Sequence, residues 1–341
     1  MVFASLIIIA AGIKAAEDLM VPFLLAAFIA TIAATPVFWL EKHKVPAAVS
    51  ITLVMAAMVV MVIGVGAVVA QSAGAFTAKL PFYQARLVEI VEGVLAVVEP
   101  LGVKVSDELL LSYFDPGTAL VMAGNTLRGL GGVLSNSFLI LLTVIFILAE
   151  ASSFPRKLGD VLSDPEHDLP HFARFADNVN RYMAIKTTIS VVTGLIVAIF
   201  LTIMGVDFPV LWGLLAFLLN YVPTIGSFIA AIPAILLALI QLGPLPAAIV
   251  AAGYFTVNIV MGNAVEPRFM GRGLGLSTLV VFLSLVFWGW MLGPVGMLLS
   301  VPLTMTAKIA LEASPSSAWL ASLLGPADKP APKSASAEAP A

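Results

Sequence analysis

Apolar runs of roughly twenty residues, separated by short polar turns, recur along most of the chain. A run of that length spans about 30 Å of hydrocarbon as an α-helix. Leu19–Leu40, a run from Pro46 to about Ala70, Val133–Ala149, Thr187–Met204 and Ala247–Met261 read this way. Val2–Ile13 is apolar but short, and Lys14, Glu17 and Asp18 follow at once. It is either a snorkelled short helix or the end of a span that starts upstream of Met1. Two longer runs are interrupted near their middles. Phe208–Gln241 breaks at Asn220-Tyr-Val-Pro-Thr-Ile-Gly226, and Leu276–Lys308 breaks at Trp290-Met-Leu-Gly-Pro-Val-Gly296. A proline inside a helix lacks the amide donor and clashes with the preceding turn. Backbone groups freed in this way at membrane depth must be buried in protein or line a wet cavity.

Basic residues orient these runs. Lys42 and Lys44 in the Glu41–Lys44 turn, then Arg156 and Lys157, Arg181 and Lys186, and finally Arg268 and Arg272 mark the cytoplasmic side. The run from Pro209 to Gln241 therefore begins and ends outside, as a re-entrant hairpin or two short crossings with the Asn220–Gly226 break at its tip. Leu276–Lys308 begins and ends inside by the same rule. The spans before the two broken runs point opposite ways. Pro223-Thr-Ile-Gly226 is followed after six residues by Pro233, and Pro294-Val-Gly296 after five by Pro302. A span plus a broken hairpin, twice and inverted, is a secondary-transporter pattern in which the discontinuous segments form the site.

The pattern changes between Gln71 and Gly131, where charges appear at helical spacing beside an apolar stripe of Leu80, Tyr83, Leu87, Ile90, Val91 and Val94. Two or three amphipathic helices are predicted there, outside the membrane core, with breaks near Pro100–Gly102 and Asp115–Gly117. They form a solvated cap or a collar lying at the interface. Residues from Ser163 to Arg181 read as a cytoplasmic connector, with Pro170 in the first turn of an interfacial helix. The resulting division is 1–70, N-terminal spans; 71–131, extramembrane helices; 132–185, fourth span and connector; 186–312, transport core; and 313–341, a tail disordered from about residue 325. The fold class is an all-α polytopic membrane protein with about eight transmembrane segments.

Composition agrees. Of 341 residues, 60% are hydrophobic and only 11% charged, with mean hydropathy +1.07. A soluble domain carries roughly a quarter charged residues. Cysteine is absent, which excludes disulfides, thiolate metal sites and a thiol nucleophile. There is no secretory-signal pattern at the start and no dense basic patch for nucleic acid. No His-Glu-x-x-His, Gly-x-Ser-x-Gly or P-loop occurs, so neither an enzyme nor an ATP-driven pump is expected, and no cofactor. His167 and His171 do not make a metal pair in this reading, because Pro170 lies between them and His167 precedes the helix.

The candidate solute-binding residues are those of the breaks and their surroundings: Asn220, Pro223, Thr224 and Gly226 at the first, Gly293, Pro294 and Gly296 at the second, and Asn258 on the intervening span. Asn220 and Asn258 could equally hydrogen-bond another helix. Glu266 is the one candidate for ion coupling. Its simpler role is partner to Arg268 or Arg272, with Pro267 ending the helix. Asp207 is expected to cap the helix that follows it.

Asn258 through Pro267, Met270-Gly-Arg-Gly-Leu-Gly-Leu-Ser277 and Leu285 through Pro302 resemble the C-terminal signature of the AI-2E family transporters. Gly205-Val-Asp-Phe-Pro209 with Asn220–Gly226 and Pro233 resembles the same family's upstream motif. The resemblance implies a bacterial inner-membrane transporter exporting a small polar solute such as the autoinducer-2 furanone. Some similar proteins are associated instead with sodium/proton antiport, so a cation is the alternative cargo, and a non-transporting scaffold is a further alternative. The resemblance also suggests a homo-oligomer, with a pentamer as one form, embedded in the lipid bilayer.

Overall fold

The computed structural model describes residues 8, 11–98, 137–151, 157, 165–223, 225–270, 276–312 and 317–325. Every regular element among them is helical. Thr224, the breaks expected at 100–102 and 115–117, and the tail from 326 lie outside the described residues. So do the glycine-rich 271–275 and most of the first short run.

Helix α1 is Glu17–Lys42, and α2 is Ala47–Val98. The expected end of the third span near residue 70 is not marked by any break. At 52 residues, α2 is about 78 Å long, well over twice the hydrocarbon thickness. Continuity has a packing cause. Val69, Ala73, Phe76, Leu80, Tyr83 and Leu87 alternate four and three apart and face the core of the second half as one seam. Helix α3, Ser137–Ala151, closes a small bundle with α1 and the first half of α2. Alanines 26, 30, 33 and 34 of α1 let Val144 and Leu148 come close there.

Helix α4 runs unbroken from Pro165 to Met204. The connector helix and the fifth span are thus one helix. Pro165, and not Pro170, stands at its start, so His167 lies inside the helix and not before it. Helix α5, Pro209–Leu219, and α6, Ile225–Leu242, flank the first break. Their outer ends meet: Gln241 accepts from the Asp207 amide at 3.0 Å and donates to the Gly205 carbonyl at 3.1 Å. The segment therefore returns to the level it left, as a hairpin. Its first limb is about 16 Å long, too short to cross.

Helix α7, Pro244–Ile259, continues through a π-helical turn, Val260–Val265, into α8, Glu266–Met270. Pro267 does not end the helix. Its ring would clash with the carbonyl four residues back, at Asn263, and the widened turn lies over that position. Helix α9, Thr278–Glu312, is two helices joined at Leu292 and Gly293. Trp288 donates to Thr304 at 3.0 Å. Those residues would be about 24 Å apart along one straight helix, so α9 is also a hairpin. Helix α10, Ala318–Leu323, follows. Among the described residues, six helices are long and apolar enough to cross a membrane, and α3 and α5 are shorter apolar helices. Many large apolar side chains, among them Ile199, Ile203, Phe228 and Phe255, face outward, as they do where the solvent is lipid.

Candidate functional site

The site is built around α4. Gly194 of α4 and Gly213 of α5 touch: a methyl added at Gly194 would lie 2.7 Å from the Gly213 carbonyl oxygen. Such small-residue contacts let membrane helices approach at backbone distance. The approach seats the hairpin against α4 and carries its break to a polar stripe on that helix.

The break is a compact turn. Asn220 is the C-cap of α5, and Ile225 donates to the Pro223 carbonyl at 2.6 Å. Tyr221 is buried and donates to Thr187 of α4 at 2.7 Å, while Phe28 of α1 and Phe217 contact its ring edge-on. The Asn220 amide donates to Ser190 at 2.9 Å. At Gly226 even a methyl group would collide with the Leu219 carbonyl, so only glycine lets α6 leave the turn this steeply.

Behind the break lies a crevice between α4, the α5–α6 hairpin and α7. Thr193, Asn220, Ser227, Tyr254 and Asn258 supply its polar wall; Val197, Ala216 and Ala230 supply the rest. Its walls meet and leave no void for a water molecule. No lining side chain is charged. Thr193 donates to its own helix at Ile189. Tyr254 is 3% exposed, and its hydroxyl has no partner. A buried polar group left unpaired costs about 1–3 kcal/mol.

The structure thus brings Asn220 and Asn258 into one crevice; Pro223 and Gly226 shape the turn beside it and are not among its lining residues. Gly293, Pro294 and Gly296 are not among its lining residues. They form the second turn, where Gly293 adopts φ +61° and a side chain there would approach the Glu17 carboxylate of α1. Gly296 repeats the device of Gly226, since a methyl there would strike the Trp288 carbonyl.

Glu266 lies farther along the helix that carries Asn258. Both its carboxylate oxygens accept from Lys186, at 2.7 and 2.9 Å. Its partner among the described residues is Lys186 and not Arg268, while Arg272 lies outside them; Lys186 is not a solvated flanking charge, since its side chain is only 5% exposed. The π turn explains the pairing. In a regular α-helix Tyr254, Asn258, Met261 and Val265 would share a face, and a π turn acts as a one-residue insertion. That shift places Glu266 where Val265 would have been, opposite Lys186. Asp207 is likewise not a helix cap: Phe208 takes that position with φ +59° and no side-chain cap. The Asp207 carboxylate instead accepts from Tyr83 and Lys79 of α2, both at 2.7 Å.

Thr193, Ser227 and Tyr254 are the lining residues that sequence reasoning missed. A signal existed. Lys186, Ser190 and Thr193 are spaced four and three apart on one apolar span, and Tyr254 and Asn258 four apart on another, so each set marks one polar stripe.

Two interrupted hairpins, a polar crevice behind one of them and several membrane-length helices define an all-α polytopic membrane protein. Residues 3–316 match the family described as AI-2E family transporter. The chain is 42% identical over 324 residues to the AI-2 transport protein TqsA of Escherichia coli strain K12, covering 95% of this chain and 94% of that one. It is 42% identical over 328 residues to a putative transport protein of Haemophilus influenzae, covering 94% of each. With the putative transport protein YhhT of Escherichia coli K12 it shares 40% over 323 residues, 95% of this chain and 93% of that one. The chain belongs to the AI-2E transporter family, and it is a multi-pass membrane transport protein, not an enzyme.

Proposed function

We propose that this protein exports a small polar solute of the autoinducer-2 kind, a quorum-sensing signal, across the bacterial inner membrane. The observation that carries this reading is the crevice itself: amides and hydroxyls gathered behind a broken hairpin, with one buried hydroxyl unpaired. Such a wall suits a hydroxylated solute, and the name of the relative TqsA agrees with it. The crevice is closed, so passage requires the α5–α6 hairpin to part from α4 and α7. The second hairpin, α9, serves as its inverted counterpart and opens toward the other side. Glu266 anchors α8 to α4 through Lys186 in this reading. Asn220 has two roles in this cycle, holding Ser190 when the crevice is shut and contacting solute when it opens. Self-association into a homo-oligomer provides the frame against which the hairpins move.

The test is solute flux in proteoliposomes containing the full chain. Asn220→Ala and Pro223→Ala lower furanone flux at unchanged folded yield. Unchanged flux in both variants would refute the site. Cross-linking in native membranes reads the oligomer.

A further inference from the structure

Among the described crevice groups, the Tyr254 hydroxyl is the fully buried one that no group of the chain satisfies. The other buried or half-buried tyrosine hydroxyls in α2 and at the first break are satisfied, Tyr83 by Asp207 and Tyr221 by Thr187. Tyr254 is as deeply buried, on a helix face turned toward Asn220 and Ser227, and has no partner. Phenylalanine would fill the same space without stranding a polar atom, so the hydroxyl answers to something outside the chain. Asn258, four residues on, lies on the same face of α7 and adds an amide that both donates and accepts.

We propose that Tyr254 is the residue that recognises the transported solute, donating a hydrogen bond to it, and that the solute is uncharged and hydroxylated; this rests on the export reading above. The absence of charged side chains from the crevice wall sets the charge. An ion entering an apolar enclosure without a counter-charge is strongly disfavoured. Val197, Ala216 and Ala230 give the solute an apolar face to rest on once the hairpin parts from α4 and α7. A wall built to hydrogen-bond a hydroxyl discriminates strongly against analogues that lack it, because its own polar groups are then left unpaired.

The experiment compares wild type with Tyr254→Phe in proteoliposomes, using the autoinducer-2 furanone and a carboxylated analogue of the same ring. Wild type carries the neutral ring and not the anion. Tyr254→Phe raises KM about tenfold, the effect of one hydrogen bond of about 1.4 kcal/mol, while kcat changes little. A packing role would leave KM alone. Equal KM in the two proteins, or equal transport of the anion by wild type, overturns the proposal while leaving the export reading intact. Absence of any furanone flux in wild type overturns the export reading instead. Thermal unfolding of the solute-free protein in detergent then still judges Tyr254. Removing an unpaired hydroxyl raises Tm by a few degrees; a lower or unchanged Tm shows that the hydroxyl is satisfied within the fold and overturns the proposal.

Discussion

Replacing Glu266 by glutamine removes one charge from a pair that sits eight residues along the helix from Asn258. Lys186 is 5% exposed at its side chain and Glu266 21%, with contacts of 2.7 and 2.9 Å. At that separation, and an effective dielectric of about 20, the gross attraction is about 6 kcal/mol. Desolvation offsets part of it, and losing one partner of a buried pair typically destabilises by about 3–5 kcal/mol. Glutamine keeps one acceptor oxygen, and Glu266 is partly open, so the lower end, about 3 kcal/mol, applies. Unfolding entropy scales with length, so a chain of 341 residues shifts by about 1.4 °C per kcal/mol, and Tm falls by about 4 °C. The loss comes from stranding the ammonium, so the double change Lys186→Met with Glu266→Met recovers most of it. Thermal unfolding of wild type, the single variant and the double variant in detergent, followed by far-ultraviolet circular dichroism, reads both effects. A single variant as stable as wild type, or a double variant as unstable as the single, would refute the argument from burial.

Two further perturbations test the hairpin and its mooring. Gly226→Ala forces α6 away from the Leu219 carbonyl and lowers stability by about 2 kcal/mol, within the overpacking range of 1–3; an unchanged melting curve would show that the turn relaxes freely. Asp207→Ala strands the Tyr83 hydroxyl and frees Lys79, a loss of about 1–3 kcal/mol dominated by the tyrosine, since half-exposed Lys79 adds little. Hydrogen exchange rises around residues 76–87 of α2, and unchanged protection there would contradict the mooring.

Some features were legible because they depend on local chemistry. Pro223 and Pro294 mark the two interruptions, and the glycines beside them permit the turns. The return of the Pro209–Gln241 segment followed from basic residues alone, and the hydrogen bonds joining Gln241 to Gly205 and Asp207 close that hairpin. Other readings failed where a local signal met a distant partner. Asp207 has the composition and position of a helix cap, yet Tyr83 and Lys79 lie more than a hundred residues away in sequence and take its carboxylate. Gln71 and Lys79 open the stretch read as extramembrane helices, and the Val69–Leu87 seam joins the start of that stretch to the third span as one helix. Lys186 counts as a flanking charge by hydropathy, but Glu266 buries it.

By itself, the sequence determined that this chain is helical, membrane-embedded, free of cysteine chemistry and interrupted at two places. Each of those properties is set by side-chain solvation or backbone chemistry within a few residues. Only the tertiary structure decided which polar groups meet. Ser190 facing Asn220, Lys186 facing Glu266 and Tyr254 facing the break all depend on the rotation of α4 and α7 about their axes. One extra residue in the π turn before Glu266 turns the rest of that helix by about 100°, and that rotation is set by packing against α4.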